Sequence, residues 1–180
     1  MRTRADIVDR WLTIAAGLAA LCAVAVSLYQ AALARAQLRS SAWPYVAQSN
    51  SYTAGKSYTR QVVNEGVGPA RIRAFRVLVD GRPVQRWGQA VRTLTGAADS
   101  NVVYTTMGRG SVLPAGGTRT LLMLPPGAQA ERFWVEAQTR LETVVCYCSV
   151  YDECWEADTR RDEPTPVKAC AADPAGELRQ

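Results

Sequence analysis

VVCYCSVYDECW, running from Val144 to Trp155, places three of the chain's five cysteines within nine residues. Its alternating Val, Cys and Tyr read as a β-strand. Val144, Cys146, Cys148 and Val150 then share one face, and Val145, Tyr147, Ser149 and Tyr151 share the other. Three chemistries are open to these thiols. A zinc site built from Cys146, Cys148, Cys154 and Cys170 would have one, five and fifteen residues between successive ligands. Those spacings match no common zinc knuckle. A redox pair prefers Cys-x-x-Cys at a helix N-terminus, where the thiolate is stabilised, and that context is missing. Disulfides fit better. A turn at Asp152-Glu153 returns Cys154 to Cys148, which leaves Cys146 to capture Cys170 and pin the C-terminal segment to the sheet. Bonding of Cys146 to Cys148 is disfavoured, because same-face neighbours on a strand lie about 6–7 Å apart. An even set of four cysteines outside the N-terminal apolar run suits an oxidising compartment.

The residues around this strand set the expected fold. From Tyr45 onward, β-type runs at 45–53, 58–64, 70–79, 101–106, 118–124 and 142–151 are separated by turn residues. Asp80-Gly81 is a hairpin signal, and Pro114-Ala115-Gly116-Gly117 marks a second turn. Trp87, Val91 and Leu94 recur at helical spacing. Residues 127–140 carry Ala130, Trp134 and Ala137 on one helical face with Leu141, although Phe133, Val135 and Ala137 also alternate as a strand would. The expected class is mainly β. An antiparallel, immunoglobulin-like β-sandwich with one or two short helices spans 45–158, and 159–180 forms a loosely ordered tail tethered through Cys170. The βαβ alternation of nucleotide-binding sheets does not occur.

The N-terminal segment has a different character. No charge occurs between Arg10 and Arg35, so WLTIAAGLAALCAVAVSLYQAALA (11–34) is uncharged throughout. As a helix it spans about 36 Å, enough for a hydrocarbon core of about 30 Å. Trp11 and Tyr29 fall about 27 Å apart, where interfacial aromatics belong. The run is read as a retained transmembrane anchor in contact with the lipid bilayer. It has 1–10 as a cytoplasmic N-terminus before it and 35–44 as a linker after it. A cleavable signal peptide is the rival, since Ala32-Leu33-Ala34 has the small-x-small form. Against it stand the length of the run and the acids Asp6 and Asp9 in the leading segment.

Charge and composition narrow the function. Residues 35–151 carry 14 Lys and Arg against 6 Asp and Glu, a balance of +8; residues 152–180 carry 4 against 8, a balance of −4. The arginines are scattered singly, so they are read as a solvated surface and no nucleic-acid partner is expected. Histidine is absent, which removes histidine-based nucleophile activation and histidine metal sites. The carboxylates Asp152, Glu153, Glu156 and Asp158 lack the spaced loop of a calcium motif and read as a solvated acidic turn. No catalytic, metal or cofactor-binding residue is assigned, and no cofactor is expected. Asn64-Glu65-Gly66-Val67-Gly68-Pro69-Ala70 is the other distinctive motif. Its glycines allow positive φ and Pro69 blocks a ladder hydrogen bond, so the strand must turn here. An anion-binding nest beside Arg71 and Arg73 is the alternative reading.

Trp43-Pro44-Tyr45 after an apolar helix, the Asn64-x-Gly66-x-Gly68-Pro69-Ala70 motif, and Tyr147-Cys148-Ser149-Val150-Tyr151-x-x-Cys154-Trp155 together carry a resemblance. The chain resembles a group of small bacterial membrane-anchored proteins of unknown function, over residues 1 to about 170. The resemblance implies a bacterial envelope protein and says nothing of a substrate; with the apolar helix, the expected location is the bacterial inner membrane. The resulting expectation is a single-pass protein with a periplasmic, non-enzymatic binding or support domain. Its partners would be an envelope protein or a second copy of the chain. A thiol-redox or other envelope enzyme accessory, a secreted soluble domain, and an inverted topology with a cytoplasmic, reduced domain are the alternatives.

Overall fold

The computed structural model describes residues 4–97, 102–105, 107–171 and 176–178, with the backbone alone for 5–7. The chain divides into two compact units, Met1–Ser41 and Ala42–Gln180.

The first unit is one 38-residue helix, α1 (Arg4–Ser41). Its apolar side chains, among them Trp11, Leu18, Val24 and Tyr29, are exposed on all sides. Such a helix finds no core of its own and suits an apolar solvent. Its internal hydroxyls are satisfied within the helix: Thr13 and Ser27 each donate at 2.8 Å to the carbonyl four residues earlier. Lipid imposes that requirement on any buried polar group. The stretch Val8–Ser41 is long and apolar enough to cross a membrane, a property a signal sequence near an N-terminus shares. The expected linker 35–44 is corrected here. Residues 35–41 continue the helix, because RAQLRSS contains neither glycine nor proline and Pro44 restricts only Trp43 before it.

The second unit is β-rich. In chain order it contains β1 (Val46–Tyr52), β2 (Tyr58–Asn64), β3 (Ala70–Val79), β4 (Arg82–Val84), α2 (Trp87–Thr95) and β5 (Val103–Tyr104). There follow β6 (Val112–Leu113), β7 (Thr118–Leu124), α3 (Ala128–Arg140), β8 (Leu141–Cys148), β9 (Cys154–Asp158) and β10 (Thr165–Val167). They form two sheets, ordered β1-β2-β7-β5 and β10-β9-β8-β3-β4, with β6 pairing β3. All pairings are antiparallel.

Side-chain alternation explains which faces meet. On β2, Tyr58, Arg60, Val62 and Asn64 are buried while their neighbours are half-buried. On β3 a bulge between Ile72 and Ala74 shifts the phase. Ala70 and Ile72 are therefore followed inward by Phe75, Val77 and Val79, while Arg71, Arg73 and Arg76 face away. Val46, Tyr58, Val62, Leu122 and Leu124 of one sheet share a single core with Ile72, Phe75, Val77, Val145 and Tyr147 of the other. The helices add Trp87, Val91, Leu94, Ala130 and Phe133. Residues 128–140 resolve as helix, with Phe133 at the centre of the buried stripe and Trp134 half-buried against Tyr52. The Asp80-Gly81 turn has φ of 52° and 74°, the two left-handed residues a tight hairpin needs. Arg140 at the end of α3 grips the Asp80 carboxylate at 2.7 and 2.8 Å, holding it below the usual carboxylate range.

Three expectations about strands need correction. Of the run 101–106, only Val103–Tyr104 forms a strand, and Asn101 and Thr106 lie outside the described residues. The run 142–151 starts at Leu141 and ends at Cys148. There the Ser149 N–H donates to the Glu153 carbonyl at 2.8 Å, and Asp152 takes φ 61°, so Val150 and Tyr151 leave the sheet and are exposed. Residues 159–180 are not merely a tail. β10 extends the sheet as an edge strand, a place that tolerates Pro166, and the Leu178 N–H donates to Phe75.

Candidate functional site

The Asn64–Ala70 motif forms a knot of backbone and amide. Asn64 is fully buried. Its Nδ2 donates to the carbonyls of Gly68 (2.8 Å), Leu113 (3.0 Å) and Pro114 (3.2 Å), and its Oδ1 accepts from the N–H groups of Tyr45 and Gly66, both at 3.1 Å. One side chain thus ties the start of β1, its own turn and the end of β6. The turn expectation holds at Gly66 and Gly68, but not for the expected reason: neither has a positive φ. A Cβ on Gly66 would overlap the backbone nitrogen of Tyr45, and one on Gly68 the carbonyl of Ala42. Both glycines therefore permit close passage of residues 42–45. The Val67 and Gly68 N–H groups donate to Trp43 at 3.0 and 3.1 Å, so they are engaged by backbone and do not cradle an anion.

The cysteines form two adjacent bridges. Cys148 and Cys154, directly opposite on β8 and β9, are bonded across the Ser149–Glu153 turn. Cys146 is bonded to Cys170, 24 residues away, which fastens the C-terminal segment to β8. The Cys148 and Cys170 sulfurs lie 3.9 Å apart, so three sulfurs cluster closely. Because each is held in an S–S bond, none is a thiolate ligand in this state. On the inward face of the same strand, Tyr147 stacks on Trp155 with ring centroids 5.9 Å apart, and its hydroxyl accepts from the Val46 N–H at 3.2 Å. Burial pushes this phenol up to about 12. Cys22 and the aromatics Trp11 and Tyr29 are exposed on α1.

The outward arginines of β3 have acidic partners from the C-terminal part of the chain. Asp152 pairs with Arg71, and with Arg73 at 3.5 Å; Glu156 pairs with Arg76 and Glu177 with Arg109. The acidic turn thus folds over the basic strand. That pairing also removes Arg71 and Arg73 from the anion nest considered above.

Sequence reasoning missed one site. A cavity of about 300 Å³ opens beside β1, the C-terminal end of α3 and the turn after β9. Arg60 lines it and is only 4% exposed. Its Nη2 donates to Thr143 Oγ1 at 2.8 Å, and its Nη1 approaches the Tyr58 hydroxyl at 3.5 Å. The Thr143 hydroxyl in turn donates to Gln48 Oε1, while Gln48 Nε2 donates to the Thr143 and Ala157 carbonyls, each at 3.0 Å. Among the described residues, Arg60 Nε has no hydrogen-bond partner and no carboxylate pairs with its guanidinium. The signal was present in the strand pattern: Tyr58-x-Arg60-x-Val62 puts a cation on an inward face.

No protein-family model, curated protein or solved structure matches this chain. The functional reading rests on the residues themselves. The geometry gathers three features in the second unit, namely the knot, the paired disulfides and the Arg60 cavity. In the first the Asn64 amide, and in the second all four sulfurs, are engaged within the protein, whereas Arg60 Nε in the third is not.

Proposed function

We propose that the chain is a single-pass bacterial inner-membrane protein that displays its β-domain in the periplasm as a non-enzymatic binding or support module. The observation that carries this reading is the cysteine pattern. All four cysteines after α1 are in disulfides, within a unit that begins directly after a helix able to cross a membrane. Disulfides persist in oxidising compartments and are rare in the cytosol. Arg2, Arg4, Arg10 and the terminal amine then occupy the cytoplasmic flank, as the positive-inside rule favours.

The strand order supports an immunoglobulin-like sandwich. β1-β2-β7-β5 follows the A-B-E-D order of that fold, and β3-β8-β9 its C-F-G order. The motifs shared with small bacterial membrane-anchored proteins support the bacterial envelope. The lack of histidine and the pairing of Asp152 and Glu156 with arginines support a binding role over catalysis. The bilayer contacts α1, and an envelope protein or a second copy of the chain meets the β-domain. A thiol-redox role draws on one observation, the 3.9 Å approach of Cys148 to Cys170. The near-complete burial of Cys146 and Cys148 weighs against it.

Fusing alkaline phosphatase to the C-terminus tests the topology, since that enzyme needs export to form its own disulfides. The expected result is an active phosphatase fusion and a dark cytoplasmic-type fluorescent fusion at the same position. A well-expressed but inactive phosphatase fusion would overturn the periplasmic placement.

A further inference from the structure

We infer that the cavity beside β1 is a binding site for the carboxylate of a small zwitterion, a free amino acid or a dipeptide, with Arg60 as the residue that receives it. The inference deepens the reading of the β-domain as a binding module and is independent of its compartment.

A guanidinium carries five N–H donors in a rigid fork. Thr143 and Tyr58 take one donor from each terminal nitrogen of Arg60, and the Nε–H is left over. The Nε is closed off from the cavity, so a carboxylate there meets the guanidinium through the Nη–H donors that Thr143 and Tyr58 leave free. A charge buried this deeply is costly unless an opposite charge reaches it. Thr143 and Gln48 do not relieve that cost, because both are neutral and their polar atoms are already joined to each other and to backbone. Arg60 is therefore held in place by its neighbours without being neutralised by them.

The rim decides which anion is suited. Besides Arg60, the cavity is lined by Asp158, Asp162 and Glu163 and by the cation Arg161, whose Nη1 is hydrogen-bonded to Thr165 at 3.0 Å. This acidic mouth repels a dianion such as phosphate, and it attracts an ammonium group. A molecule with a carboxylate at one end and an amine at the other matches both the floor and the mouth. The volume of about 300 Å³ corresponds to roughly ten water molecules, at about 30 Å³ each. That is room for a molecule of amino-acid or dipeptide size.

The test uses the full chain, purified in detergent, with glycylglycine, acetate, glycinamide and inorganic phosphate as probes. Calorimetric titration is expected to show glycylglycine binding most tightly, acetate at least tenfold more weakly, and glycinamide and phosphate not at all. Arg60→Met is expected to weaken glycylglycine binding at least thirtyfold. Since that substitution can also disturb folding, the unaltered chain supplies a second reading: the Arg60 Nε–H resonance should shift with glycylglycine and stay still with glycinamide. Absence of glycylglycine binding at 50 mM, an unmoved Arg60 resonance, or phosphate binding as tightly as glycylglycine would each overturn the inference. None of these outcomes bears on the phosphatase-fusion result, so topology and ligand stand or fall separately.

Discussion

Asn64→Ala is expected to lower the stability of the β-domain by about 3–4 kcal/mol, because a fully buried amide that makes five hydrogen bonds is removed. Each such bond contributes about 1 kcal/mol net, and its loss also leaves buried partners without a substitute. Asn64→Asp separates polarity from shape. It keeps an acceptor for Tyr45 and Gly66 but turns a carboxylate oxygen toward the carbonyls of Gly68, Leu113 and Pro114. It should therefore be no better than alanine. Gly68→Ala attacks the same knot from the other side, by driving a methyl into the Ala42 carbonyl. Because both changes break one structure, the double variant should cost less than the sum. Urea denaturation of the purified chain measures all four differences. Asn64→Asp at wild-type stability would show that the amide donors contribute nothing.

Removing the Cys146–Cys170 bridge should have an effect of similar size. The two bridges differ in the length of chain they close, with sequence separations of 24 and 6. Loop-closure entropy assigns about 3.5 kcal/mol to the first and about 2.4 kcal/mol to the second. The paired serine variant Cys146→Ser/Cys170→Ser is therefore expected to lower the melting temperature by roughly 10 °C, more than Cys148→Ser/Cys154→Ser. It should also expose the segment after β10 to protease, since Cys170 is its covalent tie to β8. Melting curves under non-reducing conditions rank the two variants. A larger loss from the shorter loop would contradict the assignment of the long bridge as the main constraint.

The residues that could be read from sequence are those whose signal is local. β3 opens on the alternation Ala70-Arg71-Ile72-Arg73-Ala74, β2 and β7 are β-type runs bounded by turn residues, and α2 shows its i, i+4, i+7 stripe, so each was legible without a partner in view. Cys148 and Cys154 flank a short turn, so their proximity was legible too. Features set by distant segments were not. β9 and β10 are short; β9 becomes a strand because β8 offers an edge to pair with, and β10 because β9 then offers the next. Gly66 and Gly68 look like turn glycines until residues 42–45 are seen passing against them. Helical continuation through Ser41 was obscured by Pro44, whose effect stops at Trp43. Arg60 was overlooked for a different reason. A charge on an inward strand face conflicts with burial, and such conflicts between local rule and global position tend to mark functional sites.

The central claim is that this domain folds and remains oxidised outside the cytoplasm, and thiol counting in intact cells tests it most directly. Cells are quenched in acid, denatured, and treated with a maleimide-linked polymer before and after reduction. With Cys22 free and the other four cysteines paired, the account predicts one adduct before reduction and five after. Five adducts before reduction would place the cysteines in a reducing compartment and contradict it.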